Sequence, residues 1–79
     1  MIKLNIHNME SFLQEIDKCS NNVFLIRTDG HKRLINHCID THSELKQNYY
    51  DNNRYLSISL DISNYKDYLN LIFYYISNI

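Results

Sequence analysis

The stretch N-V-F-L-I-R-T-D-G-H-K-R-L-I, residues 22–35, decides how this chain folds. V-F-L-I-R-T and H-K-R-L-I flank Asp29-Gly30, a pair that readily takes the positive φ values of a two-residue turn. A β-hairpin with antiparallel arms is expected. On its first arm Phe24 and Ile26 project opposite to Val23 and Leu25, so that strand is apolar on both faces. Phe24 and Ile26, with Arg33, Ile35 and Tyr55, are expected on the uncovered face of the sheet as a contact surface.

Upstream of the hairpin, residues 1–6 alternate, with Ile2, Leu4 and Ile6 on one side and Lys3 and Asn5 on the other, as in a half-buried strand. Asn8 can cap a helix in which Met9, Phe12, Leu13, Ile16 and Cys19 recur at helical spacing to about Lys18. Ser20, Asn21 and Asn22 end it. Downstream, T-H-S-E at 41–44 has the form of a capping box, with Thr41 serving the N–H of Glu44, and predicts a helix from His42 to about Tyr50. After a turn at 51–53, Leu56, Ile58 and Leu60 alternate with Tyr55, Ser57 and Ser59 as a fourth strand. A cap at Ser63 then starts a helix carrying Tyr65, Tyr68, Leu69, Ile72, Phe73 and Ile76, the largest apolar stripe in the chain, expected to cover the sheet.

The order β-α-β-β-α-β-α implies a two-layer, open-faced α+β sandwich. With 79 residues the chain has material for a single domain spanning 1–79 and one core. An apolar fraction of 44%, with 13% aromatic residues, is that of a folded globule. A net charge of −1 and a pI near 6.4 supply no field to attract nucleic acid or an anionic bilayer. No run approaches the ~20 apolar residues of a membrane span, and the N-terminus lacks the profile of a signal peptide, so a cytoplasmic location is expected.

In V-F-L-I-R-T-D-G-H-K-R-L-I-N and L-S-I-S-L-D-I-S-N-Y-K-D-Y-L, and in element order over nearly its whole length, the chain resembles the HPr family, the histidine-containing phosphocarriers of the sugar phosphotransferase system. It is also similar to a group of small uncharacterised clostridial proteins with like hairpin and fourth-strand patterns. The resemblance implies an antiparallel sheet in the order 1-4-2-3 with three helices on one face. A ferredoxin-like sheet, order 4-1-3-2 with an added helix, is the alternative.

The resemblance also implies that His7, just before the first helix, matches the family's phosphoryl acceptor, where helix N–H groups and dipole stabilise an anion. Met9 stands where the family places an arginine, and Glu10 adds a negative charge to the same turn. At the family's regulatory serine this chain has Ile35-Asn36-His37-Cys38, without a hydroxyl. A degenerate phosphocarrier site follows, in a non-enzymatic interaction or regulatory protein that binds a protein partner or itself through the open sheet face. A divergent phosphocarrier using His7 is the alternative.

Other chemistry finds less support. Cys38 and His42 are four apart, with His37 adjacent and His31 and Cys19 as further donors, but zinc needs three or four converging ligands and a helix start is expected between Cys38 and His42. No metal or cofactor is expected, and the two cysteines are read as small buried hydrophobes. A cysteine nucleophile would need a base and a dry cleft that so small a domain hardly offers. Lys32 projects opposite to His31 and Arg33, which breaks up that basic cluster. Tyr49, Tyr50, Tyr74 and Tyr75 are core-edge residues or part of a partner site.

Overall fold

Residues 2–77 are described by the computed structural model. The elements are β1 (Ile2–Ile6), α1 (Met9–Asp17), β2 (Val23–Ile26), β3 (Lys32–Leu34), α2 (Ile39–Asp51), β4 (Leu56–Ile62) and α3 (Tyr65–Ser77). Met1, which the alternation assigns to the first strand, lies outside the described residues. The strands form one antiparallel sheet in the order β1-β4-β2-β3. That is the 1-4-2-3 order, and it excludes the ferredoxin-like alternative, in which the first strand would pair with the third.

Alternation along each strand selects the covered face. Leu4 and Ile6 of β1, Ile58 and Leu60 of β4, and Val23 and Leu25 of β2 all point into one core with Met9, Phe12, Leu13 and Ile16 of α1, Leu45 and Tyr49 of α2, and Leu71 of α3. Full burial of a Leu or Ile side chain contributes about 1.5–3 kcal/mol, so this cluster is the main stabilising term.

The hairpin differs from expectation in its turn, and the difference moves residues between faces. Arg27 N–H donates to the His31 carbonyl at 2.8 Å and Gly30 N–H to the Arg27 carbonyl at 2.9 Å, closing a three-residue loop of Thr28, Asp29 and Gly30. Gly30 alone among these takes a positive φ, +88°. The extra loop residue shifts the far arm by one position, so Leu25 faces Arg33 and Phe24 faces Leu34. Arg33 and Ile35 therefore project to the helix side. Ile35 is 0% exposed within the core and Arg33 pairs with Glu44 of the second helix, which corrects the assignment of both to the contact surface.

Two helix starts also differ. The capping box does not form: α2 begins at Ile39 with Cys38 as its N-cap residue, because Thr41 is buried inside the first turn. Its hydroxyl donates to Cys38 Sγ at 3.3 Å, and Glu44 pairs with Arg27 and Arg33 instead of reaching back. For α3 the cap is Asn64, whose side-chain oxygen accepts the Asp67 N–H at 3.0 Å, rather than Ser63.

Two buried polar side chains hold the loop that joins α1 to β2. Asn36 accepts the Val23 N–H at 2.6 Å and donates to the carbonyls of Asn21 at 2.9 Å and Ile16 at 3.3 Å. Asp67, on α3 and only 2% exposed, accepts the N–H of Ser20 through one oxygen and that of Asn21 through the other, both at 2.9 Å. Since Asp67 faces inward, Leu71 and Tyr74 follow it on the inner side of α3. The stripe of Tyr65, Leu69, Ile72 and Ile76 is thereby turned away from the sheet. Tyr65, Phe73 and Ile76 are 73, 64 and 58% exposed, which corrects the expectation that this stripe covers the sheet.

Removing either knot leaves backbone N–H groups short of acceptors. Asn36→Ala and Asp67→Ala should each lower stability by about 2–3 kcal/mol in urea unfolding, with Asp67→Asn losing less. A change no larger than that of an ordinary surface substitution would contradict the role assigned to them.

Candidate functional site

His7 follows the last residue of β1 and precedes the cap of α1. Asn8, at φ −142°, accepts the Ser11 N–H at 3.0 Å, so the helix start is satisfied by its own cap. The His7 carbonyl accepts the Tyr49 hydroxyl at 2.6 Å, which ties this junction to α2. The His7 ring is exposed and lies tilted against Tyr55, with centroids 5.3 Å apart. Tyr55 is anchored in turn by its hydroxyl, which donates to Asn5 Oδ1 at 3.0 Å.

His7 borders an open cleft of about 380 Å³, lined also by Asn8, Met9, Glu10, Tyr49, Tyr50 and Arg54. Met9, at the position the HPr resemblance would give to an arginine, is buried in the core, where a charged side chain would be costly. A cation reaches the cleft by another route. Asn53 and Arg54, at φ +58° and +61°, reverse the chain after α2, and Arg54 N–H donates to the Tyr49 carbonyl at 2.9 Å. The Arg54 side chain has no ion-pair partner among the described residues. Glu10 is paired with Lys46 at 3.3 Å, which offsets its repulsion of an anion. Arg54 was not legible as part of this site, because only the positive φ of two non-glycine residues brings it there.

The sheet-face residues divide. Phe24 and Ile26 are half-buried on the uncovered face with Leu34, which sequence reading had omitted. Lys32 bonds Asp61 across the same face at 2.6 Å, and Tyr55 stands at its far end beside His7. Arg33 shares Glu44 with Arg27, at 3.3 and 2.6 Å respectively. His31 pairs with Asp29 at 3.1 Å, so Lys32, Arg33 and His31 each face a carboxylate.

Of the cysteine and histidine candidates, His37 and His42 meet at Asp17. Asp17 accepts the His37 N–H at 2.8 Å and lies 3.4 Å from His42 Nε2 and 3.9 Å from His37 Nδ1. Among the described residues no group of three or more His, Cys, Asp or Glu side chains is placed to hold a metal ion. Cys19 and Cys38 are free and half-buried. Burial, with the Asp67, Glu15 and Asp17 carboxylates nearby, pushes the Cys19 thiol up to about 11, so it stays protonated and inert near neutrality. The Thr41 hydroxyl holds the Cys38 thiol below its ordinary value.

Three of the four named tyrosines are structural ties. Tyr74 donates to Ser11 Oγ at 2.8 Å, the Tyr75 hydroxyl accepts the Asn5 N–H at 3.4 Å along the edge of β1, and Tyr49 holds His7. Tyr50 is exposed and packs edge-on against Tyr49. The other large apolar surface is the outward face of α3, already described.

In comparisons with known proteins, no family model, no curated protein and no solved structure matches the chain. No helix among the described residues is long and apolar enough to cross a membrane.

The Arg27–Glu44 pair gives a pH-dependent term. Its hydrogen bond from Arg27, reinforced by the Arg27 and Arg33 charges, holds the Glu44 carboxyl below the usual carboxylate range. A depressed folded pKa means that this stabilisation is complete above the unfolded value and is lost as pH falls through the folded one. Urea midpoints measured from neutral pH into the acid range should therefore fall less steeply for Glu44→Gln than for the wild type. Parallel profiles would contradict the pairing.

Proposed function

We propose that this protein is a cytoplasmic, non-enzymatic interaction module of HPr-like architecture whose phosphocarrier site is degenerate. The observation that carries the reading is the outward face of α3. A small domain of 79 residues has little apolar surface to spare, yet it leaves Tyr65, Phe73 and Ile76 to solvent on one helix face. Such an apolar patch, bordered by Lys66, is characteristic of a surface that becomes covered by a protein. The buried Met9 in place of a cation beside His7 supports the loss of phosphoryl transfer. Capture from a lysate of the native cell with wild type and with Phe73→Glu tests it. Proteins retained by the wild type and lost by a folded Phe73→Glu are expected. Identical sets retained by both would contradict it.

A second reading rests on a separate observation, the presence of Arg54 in the cleft beside His7 together with the pairing of Glu10 by Lys46. In that reading His7 is a divergent phosphocarrier, and Arg54 supplies the positive charge that Met9 cannot. Incubation with phosphoenolpyruvate and the host's phosphotransferase enzyme should then place an acid-labile phosphate on His7, absent from His7→Ala and reduced in Arg54→Ala. No labelling, under conditions that label a known carrier, would remove this reading.

A further inference from the structure

The apolar residues of α3 are spaced more specifically than a mere patch. Tyr65, Leu69, Ile72 and Ile76 follow one another at intervals of four, three and four, the alternation of a two-helix seam with apolar residues every 3.5 positions. Tyr68 and Phe73 flank that seam on its two sides. The opposite side of the same helix carries Asp67, Leu71 and Tyr74, and it is already occupied by the protein's own core. The unoccupied stripe is thus shaped for another helix.

We propose that the occupant is a second copy of this chain, with two α3 helices packed antiparallel about a two-fold axis. This rests on the interaction reading above and names its partner. Three features of the seam favour self-pairing. First, it is symmetric: with the axis between Asn70 and Leu71, Tyr65 meets Ile76 of the second copy and Leu69 meets Ile72. Each layer then contains one residue of each kind, and the bulky Tyr65 faces the smaller Ile76, so the stripe is complementary to itself under the two-fold that an isologous dimer requires.

Second, none of the six seam and flank residues is charged, and the net charge of −1 leaves little repulsion between copies. Third, the area is sufficient. At 73, 64 and 58% exposure, Tyr65, Phe73 and Ile76 offer on the order of 400 Å² per copy. With the half-buried Tyr68, Leu69 and Ile72 the two copies together bury about 1,000 Å², the lower bound for a specific interface. The uncovered sheet face is a poorer candidate, because Phe24 and Ile26 are half-buried there and the Lys32–Asp61 pair crosses it.

Sedimentation equilibrium of the full chain tests the proposal. The wild type should move, with rising concentration, from the 9.5 kDa chain mass to twice that value. Phe73→Glu should raise the dissociation constant by at least ~10-fold with unchanged circular dichroism, while Ile26→Glu on the sheet face leaves it unaltered. Tyr65→Glu and Ile76→Lys, both at well-exposed positions, should each weaken the dimer alone. Mixed together they should restore it as a heterodimer, because the antiparallel register places residue 65 opposite residue 76.

A wild type that stays at monomer mass at ~1 mM, far above the range of a specific dimer, overturns the second copy as occupant. In that case loss of captured proteins by Phe73→Glu would still uphold the interaction reading with a different partner. A dimer broken by Ile26→Glu and not by Phe73→Glu, or a mixture that fails to restore pairing, also overturns the proposal.

Discussion

The Asp67 carboxylate sets the rotation of α3, and most of what distinguishes this molecule depends on that. Its two oxygens take the N–H groups of Ser20 and Asn21, at the loop where α1 gives way to β2. Hydrogen bonds to a charged acceptor contribute about 1.5–3 kcal/mol each. Holding Asp67 inside brings Leu71 and Tyr74 with it and turns Tyr65, Phe73 and Ile76 out. Leaving those three in water forgoes about 1.5–3 kcal/mol apiece, a loss of the same order as the gain from the clamp. The isolated chain cannot satisfy both, but a pair of chains can.

Most of the architecture was legible in the residues. Alternation in residues 2–6 and 56–60, the spacing of Met9, Phe12, Leu13 and Ile16, and the Asp29-Gly30 turn were enough to place five of the seven elements and, with the HPr resemblance, the sheet order; α2 and α3 were found through a capping box and an apolar stripe that the fold uses differently. The errors share one character, in that each depended on a choice between local options of nearly equal energy. Gly30 at positive φ serves a two-residue or a three-residue loop equally well, and only the second puts Ile35 under the helices. Thr41 can cap a helix or be buried in one, and the core claimed it. Hydrophobic periodicity assigned the larger stripe of α3 to the inside because it cannot see that an aspartate four residues before Leu71 has backbone donors waiting in the interior.

His7 shows the same limit. Its place at the mouth of α1 was visible, as were Met9 and Glu10 beside it. What the chain brings to it from afar was not: the Tyr49 hydroxyl on its carbonyl, the Tyr55 ring against its imidazole, Lys46 on Glu10 and Arg54 across the cleft. These contacts come from α2 and from the turn between α2 and β4, and they make His7 a well-held residue in a polar, open setting. They hold the junction in place, while the N–H of Ser11 at the α1 start is already taken by the Asn8 cap. The extended apolar seam is the stronger feature, since nothing within the described chain covers it.

Hydroxyl-radical footprinting of the wild type at low and high protein concentration tests this account most directly, because it reads the exposure of individual α3 side chains. In dilute solution Tyr65, Phe73 and Ile76 should react readily while Leu71 stays protected, and on concentration the first three should become protected together. Reactive Leu71 with protected Tyr65 and Phe73 in the dilute sample would mean that Asp67 does not set the rotation of α3. Reactivity at Tyr65, Phe73 and Ile76 that is independent of concentration would contradict their burial between two copies.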